Sequence, residues 1–109
     1  MTELSAAPFS VGVSQVARGR YLVRVTGELD LTTAAHVRTA VLELLELRAD
    51  RISLDCSEMS FIDSSGIGVL VGAEKRARSQ ACEFVVCRPS AAVMRVLDQT
   101  GVSRHLTFA

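Results

Sequence analysis

Apolar and polar positions alternate at the start of the chain, with Phe9, Val11 and Val13 on one side and Ser10, Gly12 and Ser14 on the other. A period of two predicts a half-buried strand. The break ARGR at residues 17–20 contains Gly19, after which Tyr21, Val23 and Val25 alternate with Leu22, Arg24 and Thr26. A hairpin should bring this second strand back beside the first and end it at Gly27. From Thr32 or Thr33, either of which can cap a helix, Ala34, Val37, Val41, Leu44 and Leu45 recur at helical spacing to about Arg48. Ile52, Leu54 and Cys56 then alternate with Ser53 and Asp55, which predicts a third strand ending at Cys56. A second helix over about 64–78 should bury Ile67, Leu70, Val71 and Ala77, and CEFVVC at 82–87 reads as a fourth strand. Ser90 can cap a third helix carrying Val93, Met94 and Leu97, closed by Gly101, and HLTF at 105–108 should add a last short strand.

A hairpin followed by alternating helices and strands predicts one α/β domain with a mixed sheet of four to five strands. The strands after the hairpin should run parallel. Strands two and three carry Arg24, Ser53 and Asp55 on their alternate positions, so the helices should lie mostly on one face. Residues 1–8 form a polar, Ala-rich lead-in ending at Pro8, and 9–109 make up the domain. If strands two, three and four are parallel, the segments GELDLTT, SEMSFIDSSG and RPSA gather at one edge of the sheet, where open α/β folds bind their ligands. Glu28–Asp30 and Asp63–Ser65 would then share one acidic, hydroxyl-bearing surface.

Composition narrows what such a surface can contact. A chain of 109 residues supports one core and not two. Twelve basic residues balance twelve acidic ones, without the electrostatic footprint of a nucleic-acid binder or a membrane-surface protein. MTELSAAPFS lacks the charged and apolar regions of a signal peptide, and no stretch approaches a membrane span, so a cytoplasmic location is expected. Cys56, Cys82 and Cys87 are odd in number and show no CxxC spacing; buried free thiols account for them better than a disulfide or a metal.

Catalytic readings of SFIDSSGIG at 60–68 are weak on chemical grounds. A serine nucleophile needs GxSxG at an elbow and a base within reach; the glycine before Ser64 is missing, and His36 and His105 sit in a helix start and near the chain end. Gly66, Gly68 and Gly72 imitate a dinucleotide fingerprint, yet the strand is expected to end well upstream, at Cys56, and Glu83 opens its strand instead of closing it. Close packing of the second helix on the sheet explains those glycines more simply. The acids, Glu43 and Glu46 among them, form no ligand cluster, so no metal and no cofactor are expected. Asp63 or Ser64 can cap the second helix, but one cap leaves a second hydroxyl and the apolar Met59, Phe61 and Ile62 unexplained. Phosphorylation gives such a hydroxyl a use. The added charge is tolerated at a helix N-terminus but repels a partner docked beside Asp63, Glu28 and Asp30.

GELD at 27–30, ISLDCS at 52–57 and MSFIDSSGIGVL at 59–70 closely resemble the STAS domain of bacterial anti-sigma factor antagonists, over about Phe9 to Phe108. The resemblance implies a small mixed sheet with helices and a partner-switching role. The unphosphorylated form binds an anti-sigma factor, often itself a serine kinase, and frees a sigma factor. The kinase phosphorylates the first serine of the motif, here Ser64, and a separate phosphatase resets it. Asp63, Ser65 and Gly66 match the flanking positions, with Ser65 a supporting hydroxyl, and Asp30 matches an acid at the partner surface. Oligomeric state is left open between monomer and weak dimer. Lone STAS domains also serve as accessory subunits of bacterial lipid-transport ATPases, the alternative role.

Overall fold

β1 (Ser10–Ala17) turns through Arg18 and Gly19 into β2 (Arg20–Leu29), and the two pair antiparallel from Ser10↔Thr26 to Ala17↔Arg20. The computed structural model describes residues 8–109, so the lead-in lies outside the described residues except for Pro8. α1 (Ala34–Glu46) carries the chain from β2 to β3 (Arg51–Ile62), and α2 (Ser64–Ser79) carries it on to β4 (Glu83–Cys87). α3 (Ala91–Gln99) and a 3-10 turn over Val102–His105 complete the order. The sheet runs β1-β2-β3-β4, with β2, β3 and β4 parallel.

The alternation seen in the sequence places the core. Val23, Ile52, Leu54 and Val86 lie on one face, fully buried with Val37 of α1, Leu70 of α2 and Val93 of α3 in a single cluster. Burial of each such side chain is worth roughly 1.5–3 kcal/mol relative to exposure. All three helices therefore cover the same face. Arg24, Ser53 and Asp55 occupy the other face, in register across β2 and β3. Ile67 and Val71, expected in the core, are only half-buried, because Val69 and Ala73 take the inward side of α2.

Three boundaries differ from the sequence reading. β2 does not stop at Gly27, which adopts φ 92° and carries the strand on to Leu29. β3 does not stop at Cys56 and runs to Ile62, since the longer β2 supplies a partner as far as the pair Leu29↔Ile62. Irregularities between Arg24 and Thr26 and between Gly27 and Glu28 put additional β3 residues opposite β2. The inward positions after Cys56 consequently become Met59 and Ile62, and the period of two is lost. At the C-terminus the expected strand reduces to one parallel bridge, Val86↔Phe108. The cause is local: Val102–His105 winds into the 3-10 turn.

On the open face, Asp55 is fully buried and accepts hydrogen bonds from Arg24 Nε at 3.1 Å, Arg88 at 2.6 Å and the Ser57 amide at 3.0 Å. Burial alone would raise its pKa, but the bonds from Ser57, Arg24 and Arg88 outweigh it and bring the carboxyl down to about 2 from an ordinary 3.8. A depressed folded-state value means stability that is complete above about pH 4 and lost as pH falls through about 2. Urea unfolding between those limits should show the wild type losing about 2 kcal/mol more than Asp55→Asn. Parallel curves for the two proteins would contradict this account of the buried carboxylate.

Candidate functional site

β4 leaves the sheet early: its last pair with β3 is Asp55↔Cys87, whereas β2 and β3 stay paired up to Leu29↔Ile62. The tip formed by those two strands carries both expected loops. Glu28 lies opposite Phe61 in register, and the Asp63 amide donates to the Leu29 carbonyl at 3.2 Å. The third exit arrives beside them, where the Ser90 hydroxyl donates to the Met59 carbonyl at 2.8 Å and accepts from the Val93 amide at 3.3 Å. GELDLTT, SEMSFIDSSG and RPSA thus meet at one edge.

The turn after β2 is organised by Asp30. Its Oδ1 accepts from the Thr32 amide at 3.0 Å, the Thr32 hydroxyl at 2.8 Å and the Thr33 amide at 3.3 Å. These bonds, led by the Thr32 hydroxyl, hold its carboxyl below the ordinary aspartate range. Thr33 stands at the N-cap position of α1, but its side chain makes no cap; the hydroxyl instead donates to the Glu28 carbonyl at 2.8 Å and accepts from the Asp30 amide at 2.9 Å. Asp30 thus has a structural use in addition to the surface role expected of it. Glu28 is exposed.

α2 opens directly from β3. Asp63, with φ −116° and ψ −170°, is the N-cap, and its Oδ1 accepts from the Ser65 amide at 2.9 Å and the Gly66 amide at 3.1 Å. The Asp63 carbonyl accepts the Ile67 amide at 2.9 Å, so three of the first four helical amides are engaged. Removing this cap in Asp63→Ala should cost about 1 kcal/mol, read as a lower urea midpoint at unchanged slope. Gly66 is held against the β2 tip: a Cβ there would stand 2.7 Å from the Leu29 carbonyl oxygen and 2.7 Å from Ile62 Cγ1. No other residue fits that approach.

Ser64, the first residue of α2, is exposed, and among the described residues no hydrogen bond engages its hydroxyl. Ser65 contributes its amide to the cap and is half-buried. Two large apolar side chains stand outward at the same tip, Phe61 at 46% and Leu31 at 79% exposure, while Met59 and Ile62 turn into the core. Leu31 was missed in the sequence. Its signal is an apolar residue inside a turn, out of phase with the helix that follows.

Other chemistry does not converge on this tip. His36 packs against Phe9 in a tilted pair, ring centroids 5.9 Å apart, and His105 closes the 3-10 turn. The strand-to-helix spacing that a dinucleotide site needs is present after all, because β3 reaches Ile62; two of the helix-start donors, the Ser65 and Gly66 amides, are taken by Asp63. Among the described residues no three His, Cys, Asp or Glu side chains group as metal ligands. Cys56 and Cys82 are buried free thiols, the former pushed up to about 12 by burial and the neighbouring Asp55. No helix among the described residues is long and apolar enough to cross a membrane.

Fold and site together define a small α/β domain with an exposed serine at a capped helix start, beside a second acidic turn. Residues 13–109 match the STAS domain family, and the chain belongs to it. It is 37% identical over 86 residues to an anti-sigma F factor antagonist of Paenibacillus polymyxa, covering 78% of this chain and 74% of that protein. The structure of the anti-sigma factor antagonist SpoIIAA in its unphosphorylated form superposes with a TM-score of 0.78 at 24% identity, covering 92% of this chain and 88% of that one. The phosphorylated form of the Bacillus cell fate determinant SpoIIAA superposes with a TM-score of 0.72 at 24% identity, covering 92% and 91%.

Proposed function

We propose that this protein is an anti-sigma factor antagonist whose affinity for its anti-sigma factor is set by phosphorylation of Ser64. The observation that carries the reading is the state of that residue: an exposed hydroxyl, without a hydrogen-bond partner among the described residues, at the start of a helix already capped by an acid. An anti-sigma kinase transfers the γ-phosphoryl group of ATP to Ser64 Oγ; the new oxygen–phosphorus bond replaces the bond to ADP, and the hydroxyl proton passes to a base on the kinase or to water. The helix dipole tolerates the phosphate, so the domain stays folded. A docked partner does not, because the phosphate adds nearly two negative charges beside Asp63 and Glu28, to be desolvated against the partner's surface. A penalty of about 3 kcal/mol changes affinity roughly a hundredfold, enough to reverse binding.

Glu28, Asp30, Asp63, Ser64, Ser65 and Gly66 form the docking surface in this reading, and Leu31 and Phe61 supply its apolar anchors. Asp30 and Gly66 act through shape, the first by fixing its turn and the second by letting α2 approach β2. A serine phosphatase removes the phosphate and restores binding. The resemblance of the DSSG segment and the names of curated relatives support the partner class. The test mixes the unphosphorylated chain with purified anti-sigma and sigma factor pairs from the same genome. One pair should release its sigma factor, seen as a free peak in size-exclusion chromatography and as restored transcription. Retention of sigma by every pair would contradict the reading.

A further inference from the structure

Three glycines follow Ser64 along α2, and only the first is required by the fold. Among the described residues, a Cβ built on Gly68 or Gly72 meets no atom within 4 Å outside its own turn of helix. Glycine is the poorest residue for a helix interior after proline, and at these two positions no contact among the described residues offsets that cost. Close packing on the sheet, expected of all three from sequence, therefore holds for Gly66 alone. The open side of Gly68 and Gly72 forms a groove between α1 and α2 of about 120 Å³, with Val41, Val69 and Ala73 in its lining and Arg38 and Arg76 beside them. An enclosed cavity of roughly 150 Å³ accepts a benzene ring; this groove is smaller and open to solvent, with room for one medium-sized apolar side chain. Both arginines are exposed, and among the described residues neither enters an ion pair. Ser64, Gly68 and Gly72 follow at intervals of four and share a side of the helix. The groove thus begins one turn along α2 from the proposed switch, on the same side of the helix.

We infer that the α1–α2 groove is a second docking point for the anti-sigma partner. It takes one apolar side chain, of valine or leucine size, from a partner segment that carries carboxylates on both sides of it. Arg38 and Arg76 pair with those carboxylates, and the two glycines admit the side chain between them. The inference rests on the Ser64 reading for the identity of the partner.

The test uses the full chain and the purified anti-sigma factor that binds it. Gly68→Ala/Gly72→Ala should raise the melting midpoint by roughly 5–10 °C, because each methyl adds helix propensity and meets open space. Affinity for the anti-sigma factor should nevertheless fall at least tenfold. Arg38→Glu/Arg76→Glu should weaken binding to a similar degree and flatten its salt dependence. A double alanine variant that melts below the wild type, or that is stabilised and binds unchanged, overturns the inference. If no anti-sigma factor binds the wild type, the Ser64 reading has failed and the groove is probed alone with a helical peptide of leucines flanked by glutamates. Amide shifts at Gly68 and Gly72 that vanish in Gly72→Leu then keep the groove as a docking site; no shifts there overturn it. Dimers of the chain that dissociate in Gly72→Leu assign the groove to a second copy and overturn the proposed occupant.

Discussion

Ser64→Asp is expected to weaken binding to the anti-sigma factor by about tenfold, and phosphorylation by roughly a hundredfold. One carboxylate carries about half the charge of a phosphoserine, so the mimic should fall short of the modification. The fold should be almost unaffected. Position 64 is the first residue of α2, where an acid interacts favourably with the helix dipole by about 0.3–1 kcal/mol, against a repulsion from Asp63 of similar size. Isothermal titration of the wild type, Ser64→Asp and Ser64→Asn separates charge from shape. Ser64→Asn keeps a polar side chain without the charge and should stay within a few-fold of the wild type. Equal losses for Asp and Asn would mean that the hydroxyl itself, not its modification, makes the contact.

The largest effect on the fold is expected at Gly66. In Gly66→Ala the new methyl would stand 2.7 Å from the Leu29 carbonyl and 2.9 Å from Leu29 Cγ, contacts that no real Cβ makes. Relief requires α2 to move away from the β2 tip and stretches the bond from the Asp63 amide to that carbonyl. The cost should be about 2–3 kcal/mol, a fall of roughly 10–20 °C in the melting midpoint. Differential scanning calorimetry of Gly66→Ala beside Gly68→Ala reads the contrast directly. The same chemical change in the same helix should destabilise at one site and stabilise at the other. Equal behaviour of the two variants would remove the argument that Gly66 alone fixes α2 on the sheet.

That contrast also marks the limit of what the sequence discloses. Gly66, Gly68 and Gly72 look alike along the chain; their difference lies in Leu29 and Ile62, which reach one of them and not the others. The core strands were readable because Val23, Ile52 and Leu54 keep a period of two where the β2–β3 ladder is regular. The far end of β3 was not readable, since two irregularities move the inward positions to Met59 and Ile62 and imitate a loop. Sequence spacing anticipated the meeting of GELD with DSSG at one sheet edge, as parallel strands deliver their exits to the same side. Asp30 was legible as an acid on that edge but not as the organiser of its turn. Its bonds to Thr32 and Thr33 depend on side-chain orientation, which spacing does not encode.

The most direct test of the account is the site of phosphate transfer. Wild-type protein and Ser64→Ala are incubated with ATP and each anti-sigma kinase that binds the chain, and intact mass is recorded over time. The account predicts one added phosphate on the wild type and none on Ser64→Ala. Equal incorporation by both proteins, or none by the wild type with a kinase shown to be active, would contradict it.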